Sequence, residues 1–268
     1  MQHLKSILAA SLIAAAILPT MAAAKPLEAG QFSGGVTLGT PIFGSGKLHG
    51  AATTTVASLT ALNPALPAVP AVLVIGERKF SKVYDAPVQF GVEVGYGLND
   101  NVELFGGLNY FKANGSRIQV GVANVAALDN ASLPVFGQFG DLKNLEIEGG
   151  ARYFFEGDGF SPFIGGSIGA VQQDALKATF TVPSAPSGGI TLSNVPFFKK
   201  TTALSFGAEG GVSFGLTDRL DGRLSAGVKY IGAARGNDTG LAGLGLASIN
   251  NGTQRWTYPI KASLAVRF

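Results

Sequence analysis

The side chains that could do chemistry in this chain are few, and they fall into two groups. The first is a set of charges: Glu93, Glu103, Glu146, Glu148, Arg152, Glu209, Asp221, Arg223, Lys229, Lys261 and Arg267, each flanked by apolar residues or glycine. Acids and bases spaced this way can pair with one another, or they can line a passage for ions. The second group is a histidine and its neighbourhood. Enzymes that cleave lipids or peptides in a membrane use a histidine beside a serine or a carboxylate. Only His3 and His49 are present. Ser45 lies four residues before His49, but a single histidine in a long loop reads as an exposed surface residue and not as a general base.

Other chemistries fail on residue type or spacing. There is no cysteine, and the two histidines are far apart in sequence, so neither a metal-ligand cluster nor a disulfide framework is indicated. The run Gly39 to Lys47, G-T-P-I-F-G-S-G-K, has the glycine flavour of a phosphate loop. However, Pro41 stands where its first glycine belongs, and Leu48 replaces the required Ser or Thr. The sequence therefore predicts no enzyme, no cofactor and no metal, and it leaves the charge set as the candidate functional residues.

Eight alternating runs carry those charges. Successive strand side chains point to opposite faces, so a period of two marks a strand with one apolar and one polar face. The runs are Gln31–Phe43, Asp85–Gly97, Asn101–Phe111, Lys143–Phe155, Ser161–Val171, Thr202–Gly215, Arg219–Tyr230 and Trp256–Phe268. In the fifth run Phe163 and Ile164 compete for the apolar face; Ile164, Ile168 and Ala170 make the better set. The connections alternate long and short. Short turns such as Leu98-Asn99-Asp100 and Thr217-Asp218 suit Asn and Asp geometry. The long connections cover about 44–84, 112–142, 172–201 and 231–255. The first contains Pro64, Pro67 and Pro70, which argue against a central strand there. The last is apolar and glycine-rich, G-L-A-G-L-G-L.

Composition places these runs. Of the 268 residues 46% are hydrophobic, only 14% are charged, and 38 are glycine. That is apolar and charge-poor for a soluble domain. Residues 1–24 read as a secretory signal: His3 and Lys5, an apolar stretch from Ile7 to Leu18, then Ala22-Ala23-Ala24 before Lys25. Without it, 19 basic and 17 acidic residues leave a net of +2, which gives no reason to invoke nucleic acid.

Period-two alternation fits either a soluble barrel with an apolar inside or a membrane barrel with an apolar outside. Three features select the second. Aromatic residues form two bands, Phe32, Tyr96, Phe155, Phe214 and Phe268 at the short-turn end, and Tyr110, Tyr230, Trp256 and Tyr258 at the long-loop end. The polar face is rich in glycine and small residues, which a narrow lumen needs. The runs also exceed the 9–11 residues that roughly suffice to cross a bilayer at a tilt.

The alternation, the aromatic bands, the segment Leu98 to Tyr110 (L-N-D-N-V-E-L-F-G-G-L-N-Y) and the closing strand that ends on Phe268 resemble the small outer-membrane barrels of Gram-negative bacteria: OmpA-type transmembrane domains and the OmpX-type and OmpW-type proteins. The resemblance covers residues 25–268. It implies an all-β fold, an eight-stranded antiparallel up-and-down transmembrane β-barrel with short periplasmic turns and long extracellular loops, located in the outer membrane after export. It further implies surrounding lipid, recognition of the last strand by the barrel-assembly machinery, and a monomer. The reading ends with the barrel and expects no peptidoglycan-binding domain of the kind full-length OmpA-type proteins carry, so an anchoring role is not carried over. The leading functional expectation is a structural or surface-interaction protein. Its lumen would be plugged by pairing Glu146 or Glu148 with Arg152, and Asp221 with Arg223, Lys261 or Arg267. The alternative is a narrow channel for small or hydrophobic solutes, which the apolar loop segments 65–75 and 241–249 would suit.

Overall fold

The structure, a computed structural model, describes residues 26–157, 159–185 and 189–268. The signal reading of residues 1–24 lies outside the described residues. Strand β1 (Phe32–Phe43) leads into a long connection holding β2 (Lys47–His49), β3 (Ala52–Val56), β4 (Ala71–Ile75), β5 (Arg78–Lys79) and one helical turn, α1 (Phe80–Val83). A hairpin of β6 (Val88–Asn99) and β7 (Val102–Ala113) follows, then a long connection with β8 (Arg117–Val125) and β9 (Ala131–Phe139). The pattern repeats with β10 (Leu142–Phe154) and β11 (Ser161–Gln173), and then with β12 (Leu176–Val182) and β13 (Ile190–Phe198). The last hairpin is β14 (Thr201–Gly215) with β15 (Leu220–Ile231); after a connection with two short 3-10 turns, β16 (Arg255–Arg267) ends the fold.

Eight strands close into a barrel in the order β1-β16-β15-β14-β11-β10-β7-β6, every neighbour antiparallel. The eight alternating runs of the sequence are these strands, with ends shifted by at most a few residues. Closure is made by β1, which pairs with β16 from Ser33↔Arg267 to Phe43↔Thr257 and with β6 from Phe32↔Tyr96 to Gly39↔Gln89. No sheet edge remains, as a strand structure in hydrocarbon requires.

The barrel is apolar outside and polar inside. Val36, Leu38, Val94, Ile147 and Leu204 are exposed on its outer wall, while Thr37, Glu103, Glu148, Arg152 and Arg223 are buried within. Ile164 and Ile168 face out and Phe163 faces in, as read from the fifth run. So large an exposed apolar band has no place in water and fits the acyl chains of a bilayer. Aromatic rings sit at both rims. Phe32 lies 4.9 Å from Tyr96 at the short-turn end, and Tyr230 lies 5.3 Å from Trp256 at the other.

The long connections depart from the sequence reading. They fold into a second sheet of six strands, in the order β13-β12-β9-β8-β4-β3. This sheet forms a dome over the long-loop end. The expectation that prolines exclude a central strand from 44–84 is corrected: β4 lies between β3 and β8. Pro64, Pro67 and Pro70 all precede its first residue, Ala71, so they leave its ladder intact. The dome's apolar core takes in Leu73, Val120, Phe139 and Phe197. It is continuous with Phe43, Phe111 and Leu142 at the barrel mouth and with Phe80 and Val83 of α1.

The fourth connection, 232–254, explains its own odd composition. It spans the gap between the sheet's two edges, bonding Asn237 N–H to Phe197 O at one side (2.9 Å) and Ile249 O to Gly50 N–H at the other (2.8 Å). Asn250 Nδ2 also donates to Phe197 O (2.6 Å). Leu241, Leu246 and Ile249 are buried in the core, and the exposed Gly245, at positive φ, makes the turn between them against Thr54. The connection thereby shields edges that would otherwise invite pairing with another chain.

Candidate functional site: the charged lumen

Inward positions of neighbouring strands lie level with one another, so the register decides which charges meet. Near the short-turn end, Arg267 Nη2 meets Asp221 Oδ1 at 2.9 Å. One layer further in, Arg152 bonds Glu93 through two nitrogens (2.6 and 2.7 Å), Glu209 through Nε (2.7 Å) and Glu103 through Nη1 (3.0 Å). Arg223 holds both oxygens of Glu103 (2.5 and 2.7 Å) and reaches Glu93 at 3.3 Å. Lys261 meets the second oxygen of Glu209 at 2.8 Å. Closer to the dome, Lys229 bridges Glu146 (2.9 Å) and Glu148 (2.7 Å). Ser205 and Asn109 donate to the remaining oxygens of those two acids at 2.7 and 2.9 Å.

All of the sequence-derived charges are therefore brought together; Asp221 takes Arg267, one of its anticipated partners, while the other pairs differ from those anticipated. Glu146 and Glu148 pair with Lys229, not Arg152. Residues four apart on one strand are separated by about 13 Å along it, whereas Arg152 stands directly opposite Glu103 across the β7–β10 ladder. Asp221 pairs with Arg267 alone; Arg223 and Lys261 turn to Glu103 and Glu209.

Arg255 went unnoticed in the sequence because the eighth run was read from Trp256. It is buried at the dome end of the lumen with its guanidinium 5.2 Å from the Phe80 ring centre. Its Nη1 donates to Gln173 Oε1 at 3.1 Å, and its Nη2 lies 3.0 Å from the Asn144 amide, whose oxygen faces it. Its parity matches Lys261 and Arg267, so extending the alternation by one position finds it. With Arg255 included, six acids (Glu93, Glu103, Glu146, Glu148, Glu209, Asp221) face six bases (Arg152, Arg223, Lys229, Lys261, Arg267, Arg255) among the described residues.

Two inward glycines make room for this arrangement. The Phe105 ring lies against Gly150 and the Phe163 ring against Gly211, each so close that an added Cβ would fall within 2.9 Å of ring carbons. The Arg152 guanidinium rests 3.9 Å above Phe105 and 5.7 Å from Phe163. The cluster is thus walled by aromatic faces that attract the cation.

His49 is a correction: it is not an exposed loop residue but is buried in the dome, between the rings of Phe139 (6.0 Å) and Phe197 (6.1 Å). Ser45 is exposed, outside the dome core. Burial, with some help from the Arg78 charge, lowers the imidazole pKa below its ordinary 6.5, against the opposing pull of the Gly50 carbonyl and Glu77. A histidine held neutral in the fold takes up its proton more readily once unfolded. The dome is therefore expected to lose stability as pH falls from about 6.5 towards the lowered folded pKa. Amide-exchange protection of β8 and β9 at pH 7.5 and 5.5 checks this, and His49→Leu is expected to flatten the dependence. Among the described residues no three His, Asp or Glu side chains are placed to hold a metal.

No protein-family model and no curated protein matches the chain. Among solved structures it is similar to the outer membrane protein OprG from Pseudomonas aeruginosa, at 14% identity and a TM-score of 0.45, covering 90% of this chain and 97% of that one. It is similar to Neisserial surface protein A at 14% identity and a TM-score of 0.41, covering 88% and 97%. It is also similar to Ail, the attachment invasion locus protein of Yersinia pestis, at 12% identity and a TM-score of 0.38, covering 90% and 100%. The chain's own geometry, a closed antiparallel barrel of eight strands that is apolar outside and charged within, makes this protein a small β-barrel of the outer-membrane type.

Proposed function

We propose that the protein is an integral outer-membrane barrel with a surface role: its lumen is closed by the paired charges and its dome, presented to the exterior, is the interacting part. The observation that carries this reading is the single apolar core running from Phe43, Phe111 and Leu142 at the barrel mouth into the dome sheet. A loop set packed to that degree is a built surface rather than slack between strands, and loops on a rigid barrel are where binding resides. In the same proposal the barrel is a lipid-embedded monomer that catalyses nothing, and the assembly machinery engages its last strand through Phe268.

Planar-bilayer recording tests it. The refolded protein is expected to show no steady conductance, and so are Glu148→Gln, Arg152→Gln and Arg223→Gln. A steady conductance in the unmodified protein would overturn the closed lumen in favour of a narrow channel for small solutes.

A further inference from the structure

Charge is spread unevenly over the outside of the barrel. At the short-turn rim the described charges outside the lumen are Glu28, Asp100, Glu156 and Asp218 against Arg219, all exposed. At the dome end the balance reverses. Lys112 stands directly opposite Lys143 across the β7–β10 ladder. Asp174 N–H donates to Lys143 O (3.0 Å), and one step beyond the Gln173↔Thr201 pair Lys200 comes beside Asp174. Lys199 N–H in turn donates to Arg235 O (2.9 Å). Five bases, Lys112, Lys143, Lys199, Lys200 and Arg235, therefore follow one level of the wall past the ends of β7, β10, β11, β14 and β15, which are consecutive in the barrel.

Two acids lie in this row. Asp141 is taken by Lys112 at 3.0 Å. Asp174 is exposed and, among the described residues, neither it nor any of the other four bases makes an ion pair. Like charges set opposite each other on one face of a ladder repel, as Lys112 and Lys143 do, and an outside anion relieves that. The depth of the row says where such an anion comes from. Alternation puts Lys112 and Lys143 on the lipid face, each two residues beyond an exposed apolar neighbour, Tyr110 and Leu145. Two residues rise roughly 7 Å. Lys200 continues the face of the exposed Leu204. The bases thus stand just past the acyl band, at the level of lipid headgroups.

We propose that this row of bases at the foot of the dome binds the phosphate groups of anionic lipids in the leaflet that meets the dome. The bases do not converge on one point, as they would around a soluble anion. They follow the circumference at one depth, over an arc of roughly 19 Å at the strand spacing of a sheet, and so face several headgroups side by side. Lys and Arg stems reach out from the wall while their charged ends stay at the water boundary, where an anionic leaflet attracts them. The inference goes beyond the surface role proposed above. It rests on the placement of the barrel in lipid and not on whether the lumen conducts.

Electron spin resonance on the protein refolded into phosphatidylcholine vesicles tests it, with spin-labelled phosphatidic acid and spin-labelled phosphatidylcholine as probes. Flotation of protein with the vesicles shows separately that the barrel is inserted. The wall-bound fraction of each probe is expected to favour phosphatidic acid by about threefold or more at low salt, and to approach parity in 1 M salt, where the screening length is about 3 Å. Lys143→Gln/Lys200→Gln/Arg235→Gln should lose the preference, and Lys143→Arg/Lys200→Arg should keep it. Lys47→Gln/Lys79→Gln/Lys82→Gln removes the same charge from the first connection, on the β1–β6 side of the barrel, where Glu77 already holds Lys47 at 2.6 Å; most of the preference should survive there. No preference in the inserted, unmodified protein, or equal loss in the two Gln variants, would overturn the row as the site. Displacement of phosphatidic acid by millimolar inorganic phosphate would make the ligand a soluble anion instead. Where a variant fails to fold, the preference of the unmodified protein and its salt dependence still decide.

Discussion

Arg152→Met is expected to destabilise the barrel by about 3–5 kcal/mol, the usual cost of removing one partner from a buried ion cluster. The loss falls unevenly on the three acids that Arg152 serves. Glu103 keeps both oxygens on Arg223, and Glu209 keeps Lys261. Glu93 loses its two short bonds and retains only Arg223 at 3.3 Å. The damage should therefore be traceable to one carboxylate. Adding Glu93→Gln to Arg152→Met is expected to recover most of the loss, whereas Glu209→Gln should recover little. Glu93→Gln alone should cost less than Arg152→Met, because Arg152 still has Glu103 and Glu209. Urea unfolding of the refolded barrel, followed through Trp256 fluorescence and arranged as a double-mutant cycle, measures these terms. Equal rescue by either glutamine would show that the cluster responds only to total charge, not to the geometry described.

Phe139→Ala is the second large effect, about 3–5 kcal/mol from lost apolar contact and the cavity left behind. Phe139 is 1% exposed and packs against the rings of His49, Phe180 and Phe197. All of these neighbours belong to the dome. The expected result is a dome that opens to protease while the eight barrel strands remain protected and the folded band persists on unheated gels. Cleavage within 117–139 or 176–198 with an intact barrel would match. Simultaneous loss of both parts would mean that dome and barrel unfold as a single unit.

The barrel was readable because a strand between lipid and lumen writes its environment into every second residue. Val92, Val94 and Tyr96 against Gln89, Glu93 and Gly95 leave little freedom in assigning faces. The charge partners were not readable, because they depend on strand stagger. Nothing local in the sequence puts Arg152 opposite Glu103, or Glu209 level with it two strands away on the other side. The dome was missed for a different reason. A-T-T-T-V at 52–56 and A-V-L-V-I at 71–75 are β-branched runs of strand length. Prolines and short length masked them, and with a core on one side and neighbouring strands along both edges β4 shows no clear polar face. His49 was misjudged because its burial depends on Phe139 and Phe197, which arrive from two later connections.

The order of the dome sheet has a kinetic consequence. Its strands come in pairs from three successive connections, β3 and β4, β8 and β9, β12 and β13, and the fourth connection is set in place only after β15. The β4–β8 and β9–β12 pairings join segments that are brought side by side by the barrel hairpins beneath them. The β3–β4, β8–β9 and β12–β13 hairpins can form within their own connections, but the sheet that joins them waits for the β6–β7 and β10–β11 hairpins beneath. Protection of His49 from solvent would then time the arrival of Phe139 and Phe197 from the second and third connections.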